Sequence, residues 1–447
     1  MTRFATVRVL KKNMKILVVG SGGREHAICW ALQHTSNERL QLFCAPGNAG
    51  IAQIAECVPI NVNDHGALAL FAEASKIDLT VVGPEAPLAA GLVDAFEDRG
   101  LKVVGPRSEA ARLESSKAFA KDFMARHSIP TARYRVATSP DESEELLKSG
   151  EFGGANAAVV IKADGLAAGK GVFVVSDREE AFAALNELRS GVVGAEAARR
   201  IIIEERLTGP EVSVLMFSDG QDYRLMPAAR DHKRIGENDT GPNTGGMGSI
   251  TDASIIDSAT LDRVVREIVE PTMKGCHDEG FPFRGILFIG LMLTADGPRV
   301  LEYNVRFGDP ETQAILVRLK TDLAQIFAAI SERRLGQINI EWTNDSSACV
   351  VLAARGYPAK AETGATIHGL DRIEQRQDIS VFHAATSRAN GEWLTAGGRV
   401  LGVTATGENL EVALTQGYGA VREIQWDGMQ YRRDIGGGHS PGTSVQS

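Results

Sequence analysis

The most informative stretch of the chain is VLEYNVRFGDPE, residues 300–311. Alternate residues of a β-strand point to the same face, so Glu302, Asn304 and Arg306 are predicted to share one face. A carboxylate and an amide oxygen at this spacing suit one hard cation, and Mg²⁺ accepts such ligands together with phosphates and water. Arg306 is suited to an anionic group on a substrate or a transferring phosphate. The alternative is an amphipathic strand with a solvated polar face, but the turn and acids at 308–312 favour a site.

A second segment, KADGLAAGKG at residues 162–171, places two lysines on either side of a run of small residues. Lys162 and Lys170 are predicted to hold a triphosphate, while the small residues let the loop close over it. The segment is not a Walker A loop, because Asp164 stands at the position of its first glycine and Gly171 at that of its Ser or Thr. The alternative is an exposed hairpin with solvated lysines.

A third segment, IIIEERL at residues 201–207, ends an apolar strand in two acids. An extended hinge of this kind can present backbone groups to an adenine edge and a carboxylate to ribose hydroxyls. The alternative is an ordinary charged strand end, so this segment contributes only in combination with the other two.

The N-terminal part of the chain alternates apolar strands with helical stretches. The runs at residues 15–19, 41–44, 79–82 and 102–104 each end in a turn that contains Gly or Pro. This alternation predicts a doubly wound parallel sheet, whose ligands gather at the carboxyl ends of the strands. Further along, residues 231–248 are polar, rich in glycine and without a helical or strand period, which predicts a long functional loop.

Composition argues against several classes of protein. The 447 residues carry a formal net charge of −9 without a basic stripe, which argues against nucleic-acid binding. The longest apolar run, residues 286–293, is far shorter than the ~20 residues that cross a bilayer. Five scattered cysteines without a C-x-x-C pair favour a reducing cytosol over a disulfide framework or a zinc site. We interpret the basic residues 1–13 as an extension before a fold that begins at Met14.

The three segments together resemble the ATP-grasp superfamily, in which two α+β lobes hold ATP between them. Six strings resemble one family in it, the phosphoribosylamine–glycine ligases, and they occur in order between residues 14 and 434. They are GSGGREH (20–26), APGNAG (45–50), VGPEAPL (82–88), KADGLAAGKG (162–171), DTGPNTGGMG (239–248) and RFGDPETQ (306–313). The family usually continues with a Tyr-Ser-Pro-like run after the fifth string. This chain has SITD at 249–252 instead, so substrate affinity or loop closure is expected to differ.

The resemblance implies a reaction in which ATP, glycine and 5-phosphoribosylamine give glycinamide ribonucleotide, ADP and phosphate through a glycyl phosphate, early in purine biosynthesis. A carboxylate is a poor electrophile, so it is first phosphorylated and the amine then displaces phosphate. Such chemistry needs positioning and electrostatics more than a nucleophile of the enzyme. The resemblance further implies Mg²⁺ or Mn²⁺ as cofactor, ATP as co-substrate, small-molecule partners without nucleic acid or membrane, a monomer and a cytoplasmic location.

The resemblance also implies roles for particular residues. The metal ligands are Glu302 and Asn304. The expected ATP contacts are Lys117, Lys162, Glu204, Leu207 through its backbone, and Glu211. The expected phosphoribosylamine side comprises Gly22, Gly23 and Asn48, where amides at a helix N-terminus suit a phosphate. Asp231 is expected to hold the glycine ammonium and Arg306 an anionic group of glycine or of the acyl phosphate. Together with Lys170 of the closing loop, these two are the predicted catalytic residues.

The predicted fold class is α/β and α+β, with an N-terminal doubly wound parallel sheet, a central two-lobed ATP-grasp region and a small C-terminal mixed domain. The predicted divisions are an N-terminal extension at 1–13, an α/β substrate-binding domain at 14–115, the ATP-grasp region at 116–335 with a mobile lid lobe at about 130–205, a C-terminal domain at 336–435 and a disordered tail at 436–447.

Three alternative functions fit the sequence less well. A dinucleotide-dependent oxidoreductase would need Gly or Ala at the position of Glu25 and an acid at the end of the second strand, which instead closes with Cys44-Ala45-Pro46. A biotin-carboxylase-like enzyme would phosphorylate bicarbonate, but the string at 239–248 favours the glycine ligase. A non-enzymatic nucleotide-binding regulator is expected to have lost a metal ligand or a clamp lysine, and none is missing here.

Overall fold

The computed structural model describes residues 13–166, 171–190, 199–373 and 375–437. Its N-terminal part is a parallel sheet with strand order β3-β2-β1-β4-β5. The strands are β1 (Lys15–Gly20), β2 (Gln41–Pro46), β3 (Glu56–Cys57), β4 (Leu79–Val82) and β5 (Val103–Val104). The helices between and after them are α1 (Gly23–Thr35), α2 (His65–Ala74), α3 (Glu85–Ala89), α4 (Leu92–Glu97) and α5 (Ser108–Ser115). The doubly wound parallel sheet predicted from the apolar runs is confirmed.

Burial explains why these strands are so apolar. Strand β4 is buried at all four residues, as expected for an inner strand of a parallel sheet that is covered on both faces. The turn after β1 starts helix α1 directly, and the Gly22 amide there donates to Glu25 Oε2 at 2.6 Å. That bond satisfies one of the unpaired amides of the first helical turn.

A smaller antiparallel sheet follows, with strand order β6-β9-β7-β8. Its elements, after helix α6 (Lys117–Arg126), are β6 (Tyr134–Ala137), α7 (Pro140–Lys148), β7 (Val159–Ala163), β8 (Val172–Val175), α8 (Arg178–Arg189) and β9 (Ile201–Glu205). Both helices on this sheet begin at side-chain caps, Ser139 and Asp177. The sheet and its two helices enclose a core of their own. It coincides with the predicted lid lobe, and the mobility of that lobe stays a prediction.

A nine-stranded sheet forms the body of the molecule, and its main path runs β17-β16-β10-β12-β15-β18-β23-β20. The elements up to residue 331 are β10 (Glu211–Asp219), β11 (Tyr223–Leu225), β12 (Ala229–Asp231), β13 (Arg234–Gly236), β14 (Thr240–Asn243), β15 (Gly248–Thr251), α9 (Ser258–Val264), a π-helical turn (Val265–Val269), α10 (Glu270–Asp278), β16 (Arg284–Thr294), β17 (Gly297–Asn304), α11 (Glu311–Leu316) and α12 (Leu323–Ser331). Strand β11 pairs with β10 at the side of this path.

The C-terminal part continues the same sheet. Its elements are β18 (Ser346–Ala353), β19 (Thr366–Ile367), α13 (Leu370–Ile373), β20 (Ile379–His383), β21 (Thr386–Ala389), β22 (Glu392–Thr395), β23 (Arg399–Gly407) and α14 (Leu410–Val421). Strand β15 pairs with β18, so the main-chain hydrogen bonds pass without a break from the strand bearing Glu302 to the C-terminal strands. Strands β19, β22 and β21 form a separate small sheet.

The structure corrects the prediction for residues 231–248. This segment is not a structureless loop, because β13 and β14 pair with each other as an antiparallel hairpin with a bulge. The hairpin pairs with no other strand and is largely exposed, so it needs no apolar alternation that the sequence could reveal. Residues 249–251, just beyond it, are buried in strand β15 and do not form a loop beside the site.

The ends of the chain contribute little to the described structure. Met14 is buried, as expected for the start of the fold, whereas residues 1–12 lie outside the described ranges. In the predicted tail, the amide of Gly436 donates to His232 Nε2 at 3.1 Å, and residues 438–447 lie outside the described ranges. Among the described residues, no helix combines the length and the apolar character required to span a membrane.

Candidate active site

One cavity of about 430 Å³ is lined by residues of the nine-stranded and four-stranded sheets and by helix residues next to the parallel sheet. Strand β17 and its continuation provide Glu302, Asn304 and Arg306 to its wall. Val305 and Phe307 are buried in the core, so the predicted alternation holds from Asn304 onward. It is wrong at the start of the segment, because the pairing of β17 with β16 is irregular there and Leu301 lines the cavity, as does the buried Tyr303.

Glu302 is held as a carboxylate by the cations around it. Burial acts to raise its pKa, but the charges of Lys233, Lys162 and Lys117 outweigh burial, and the pKa of Glu302 is lowered. Asn304 Oδ1 accepts a hydrogen bond from Arg306 Nη2 at 3.0 Å. Among the described residues, no group of three or more His, Cys, Asp or Glu side chains could hold a metal ion. One carboxylate and one amide oxygen suit Mg²⁺, which completes its shell with phosphate and water oxygens.

Arg306 is fixed by two acids that the sequence did not reveal. Its Nη2 lies 3.0 Å from Glu114 Oε1, and its Nε lies 3.3 Å from Glu85 Oε2. Glu114 also accepts the amide of Val305 at 2.7 Å, so one buried carboxylate orients both the guanidinium and the strand that carries it. Burial raises the pKa of Glu114, with the Arg306 charge opposing that shift.

Two of the predicted phosphate lysines line the cavity from other elements. Lys117, at the start of α6, donates to the Gly165 carbonyl at 2.9 Å, and burial lowers its pKa. Lys162, in β7, donates to the Leu301 carbonyl at 3.2 Å and lies 2.9 Å from Glu204 Oε1. Both lysines are therefore close to the strand that carries Glu302. The third predicted lysine, Lys170, lies outside the described residues.

The remaining predicted ATP residues differ in their relation to the cavity. Glu204 lines it, but its carboxylate is buried against two lysines and is not free for ribose hydroxyls in the described structure. Leu207 and Glu211 are not among the described residues that line it. Glu211 instead lies 2.9 Å from Lys233 Nζ, and Lys233 reaches the cavity 4.0 Å from Glu302 Oε1. Glu211 can therefore affect the site through Lys233.

The predicted ammonium site contains a second carboxylate. Asp231, at the end of β12, lines the cavity together with Glu311, at the start of α11. Burial raises the pKa of Asp231 well above its usual value, and the negative charge of Glu311 adds to the shift. Burial likewise raises the pKa of Glu311, whose Oε1 accepts a bond from Ser213 Oγ at 3.3 Å. Two buried carboxylates of this kind favour a cationic partner, whose charge would lower both pKa values.

The residues predicted for the phosphoribosylamine side do not themselves line this cavity, although Gly22 lies beside Asp309, which does. Gly22, Gly23 and Asn48 are not among its described lining residues. The Gly22 amide donates to Glu25, whereas the phosphate was expected at the amides that follow Gly22. The Asn48 amide group donates to the carbonyls of Ser21 (2.8 Å), His383 (2.9 Å) and Ala384 (3.1 Å). Asn48 thus joins the Gly-rich turn to the C-terminal strands.

Comparisons with known proteins agree with this geometry. Models of phosphoribosylglycinamide synthetase match residues 14–114 (N domain), 115–312 (ATP-grasp (A) domain) and 347–438 (C domain). A phosphoribosylamine–glycine ligase of Rhodopirellula baltica is 46% identical over 425 residues, which cover 94% of this chain and 96% of the relative. The chain belongs to the phosphoribosylglycinamide synthetase family. The family predicted from the six strings is confirmed.

Other relatives of this synthetase-family chain support the assignment. The phosphoribosylamine–glycine ligase of Escherichia coli O157:H7 is 46% identical over 428 residues, covering 95% of this chain and 98% of the relative. The crystal structure of the Thermotoga maritima phosphoribosylamine–glycine ligase has a TM-score of 0.81 at 34% identity and covers 94% of this chain and all of that one. A biotin carboxylase of Campylobacter jejuni, at 15% identity and a TM-score of 0.69, shares the fold alone.

Within this synthetase-family structure, Arg399 is a cavity residue that no sequence signal indicated. It begins strand β23, and its Nη1 donates to the carbonyls of Gly245 (2.6 Å) and Asp309 (2.7 Å). Its Nη2 lies 3.3 Å from Asp309 Oδ2. The C-terminal part of the chain thus holds the turn after β14 against the loop after β17. An isolated arginine at a strand start has no local pattern that could have predicted this contact.

Proposed function

We propose that this chain joins glycine to 5-phosphoribosylamine with ATP, through a glycyl phosphate, to give glycinamide ribonucleotide, ADP and phosphate. One observation carries the proposal. A single cavity holds a charged carboxylate and an amide on one strand, lysines on the facing elements, and two further buried acids, Asp231 and Glu311. Membership of the synthetase family supports the choice of substrates.

We assign the nucleotide to the end of the cavity where Lys117 and Lys162 approach strand β17. Their ammonium groups are suited to phosphate oxygens. Glu302 and Asn304 would hold Mg²⁺ or Mn²⁺. A bound ion of this kind would neutralise part of the negative charge of the phosphates. Lys233 lies beside Glu302 and keeps that carboxylate ionised before any cation is present.

We assign glycine to the end formed by Asp231 and Glu311. Both acids line the cavity, and burial raises the pKa of each. The ammonium of glycine would supply a positive charge that stabilises their ionised forms. Arg306 and Arg399 line the same cavity, and we assign to them the glycine carboxylate and the phosphoryl group that it receives, in exchange for some of their present partners.

The reaction then follows from positioning. A carboxylate oxygen of glycine attacks the γ-phosphorus of ATP, a new O–P bond forms, and the bond to the β-phosphate oxygen breaks to leave ADP. The amine nitrogen of phosphoribosylamine attacks the carbonyl carbon, loses a proton and displaces phosphate. Each step creates charge that fixed cations stabilise, so catalysis needs preorganised side chains and no protein nucleophile. The lid lobe, with Lys170 in its loop, is proposed to exclude water during these steps.

The second substrate is proposed to enter from the N-terminal sheet, where the turns after β1, β2 and β4 meet. Ligands of doubly wound sheets bind at these carboxyl ends. We further propose a cytoplasmic monomer. All five cysteines lie in the described part of the chain and are free thiols, which suits a reducing compartment.

An omission assay tests the proposal. ADP release should require ATP, glycine and phosphoribosylamine together, and bicarbonate should not replace glycine. Glu302→Gln should abolish metal-dependent turnover with an unchanged melting temperature. The matched control Glu73→Gln, on exposed helix α2, should keep full activity. ADP release with bicarbonate in place of glycine would support the biotin-carboxylase-like alternative and refute this one.

A second measurement tests the glycine end. Asp231→Asn should raise the KM for glycine by about tenfold or more, the scale of one hydrogen bond to a charged group. The KM for ATP should change by less than about twofold in the same variant, since the nucleotide is assigned to the other end. Equal changes in the two KM values would contradict the assignment.

A further inference from the structure

Lys121 is a buried cation beside the cavity that the proposed reaction does not yet use. Its side chain is 3% exposed on helix α6, and it lies at the cavity wall. A buried ammonium is costly unless it is paired and hydrogen-bonded. Lys121 has both kinds of partner, because its Nζ lies 3.0 Å from Glu204 Oε2 and donates to Thr131 Oγ1 at 2.7 Å.

Glu204 is shared between two lysines. Its carboxylate is 2% exposed, and the two oxygens lie 3.0 Å from Lys121 Nζ and 2.9 Å from Lys162 Nζ. Burial acts to raise the pKa of Glu204, but the charges of Lys162 and Lys121 outweigh it and the pKa is lowered. The cluster of two ammonium groups and one carboxylate therefore keeps one net positive charge facing the cavity.

Lys162 has a second partner besides Glu204. Its Nζ donates to the Leu301 carbonyl at 3.2 Å and lies 2.9 Å from Glu204 Oε1. Because Lys121 shares the Glu204 carboxylate, the net attraction between Glu204 and Lys162 is weaker than in an isolated pair.

Thr131 connects this cluster to the strand that carries the predicted metal ligands. Its Oγ1 accepts from Lys121 and donates to the Val300 carbonyl at 2.6 Å. Lys162 and Glu204 belong to β7 and β9 of the small sheet, whereas Val300 belongs to β17 of the large one. Lys121 therefore lies where the two sheets meet and has a contact on each side.

We propose that Lys121 is a positioning residue for the nucleotide, which balances the charge of Glu204 so that Lys162 stays available to phosphate oxygens. This inference rests on the proposed function in one respect, namely that ATP binds at the part of the cavity next to Lys162. Without Lys121, Glu204 would pair with Lys162 alone and neutralise it. Lys121 thus acts on the nucleotide through Glu204 and Lys162 without touching it.

Calorimetric titration of each variant with magnesium ATP, without glycine or phosphoribosylamine, tests this inference. Lys121→Met keeps the length of the side chain and removes its charge. It should raise the Kd for ATP by about tenfold, the scale of one charge-assisted hydrogen bond. The control Arg126→Met, on an exposed ion pair of the same helix, should leave the Kd unchanged. A Kd for Lys121→Met equal to that of the control would overturn the proposal.

A double variant separates a positioning role from a general structural one. In a Glu204→Gln background, Lys121→Met should change the Kd for ATP by less than about twofold, because its effect passes through that carboxylate. An additional tenfold loss there would overturn the proposal. A parallel rise in the KM for glycine in the single variant, above about threefold, would equally show that Lys121 only supports the fold.

Thr131→Val provides the same test without removing a charge. It deletes the hydroxyl that accepts a hydrogen bond from Lys121, and it should raise the Kd for ATP about threefold. If Lys121→Met fails to fold, an unchanged Kd in Thr131→Val would overturn the proposal. Because binding is measured without turnover, a failed ligation assay would not affect the result.

Discussion

His26 should make the stability of the protein fall as the pH falls below neutrality. The imidazole is 6% exposed, where helix α1 packs against strand β20. Its Nδ1 accepts a hydrogen bond from the His383 amide at 2.8 Å, and the Phe382 ring packs against it edge-on with centroids 5.8 Å apart. Since Nδ1 is an acceptor, the ring carries its proton on Nε2, and a second proton would break this bond.

The size of the effect follows from the shift in pKa. Burial lowers the pKa of His26 to about 3, with the neighbouring His383 adding to the shift. An unfolded histidine titrates near ~6.5, so below that pH the unfolded chain binds a proton that the native protein does not. The group therefore costs stability as the pH falls from 6.5 towards 3. Between pH 7 and pH 5 the loss in unfolding free energy is about 2 kcal/mol.

Urea unfolding at pH 7 and pH 5 measures this loss. His26→Asn keeps an acceptor for the His383 amide and cannot titrate, so its stability should fall by about 2 kcal/mol less than that of the parent protein over this interval. His277→Asn, on the exposed side of helix α10, should behave as the parent does. If the parent protein and His26→Asn lose the same unfolding free energy between pH 7 and pH 5, the assignment of a neutral, buried imidazole to His26 is wrong.

Three further outcomes are expected. Gly246→Ala should raise the KM for glycine about tenfold, because a Cβ there would lie 2.7 Å from Asp231 Oδ1 at a φ of +108°; Gly280→Ala, in open space, should leave kinetics unchanged. Asn48→Ala should lower the unfolding free energy in urea by about 2 kcal/mol, because an exposed carbonyl and two partly buried ones lose their donor. Arg432→Met should speed amide hydrogen exchange in residues 234–243, since that buried guanidinium bonds Asp239 of the hairpin at 2.6 Å.

Local rules account for what the sequence predicted correctly. The alternation along residues 304–307 decides which side chains face the cavity, whereas the irregular pairing at Leu301 could not be read from strand geometry. The turns at the ends of the first strands reveal the parallel sheet in the same way. The hairpin of β13 and β14 was not predicted because two short strands, one half-buried and one mostly exposed, leave no apolar period.

Contacts between distant parts of the chain account for what was missed. Three ion pairs of the site join elements whose proximity depends on the whole topology. They are Glu114 with Arg306, Glu211 with Lys233, and Asp309 with Arg399. None of these pairs has a spacing that a single sequence could reveal. The buried environment of Glu204 was missed for the same reason, since its second lysine comes from helix α6.

The pairing of β15 with β18 determines whether the chain can be truncated before its C-terminal part. A fragment that ended before Ser346 would leave the outer side of β15 bare, with a row of main-chain donors and acceptors facing water. Uncovered edges of this kind recruit strands from other molecules, so such fragments should assemble with themselves or precipitate. The C-terminal residues from Ser346 onward therefore protect the edge of β15, and they cannot be removed or replaced as an independent domain.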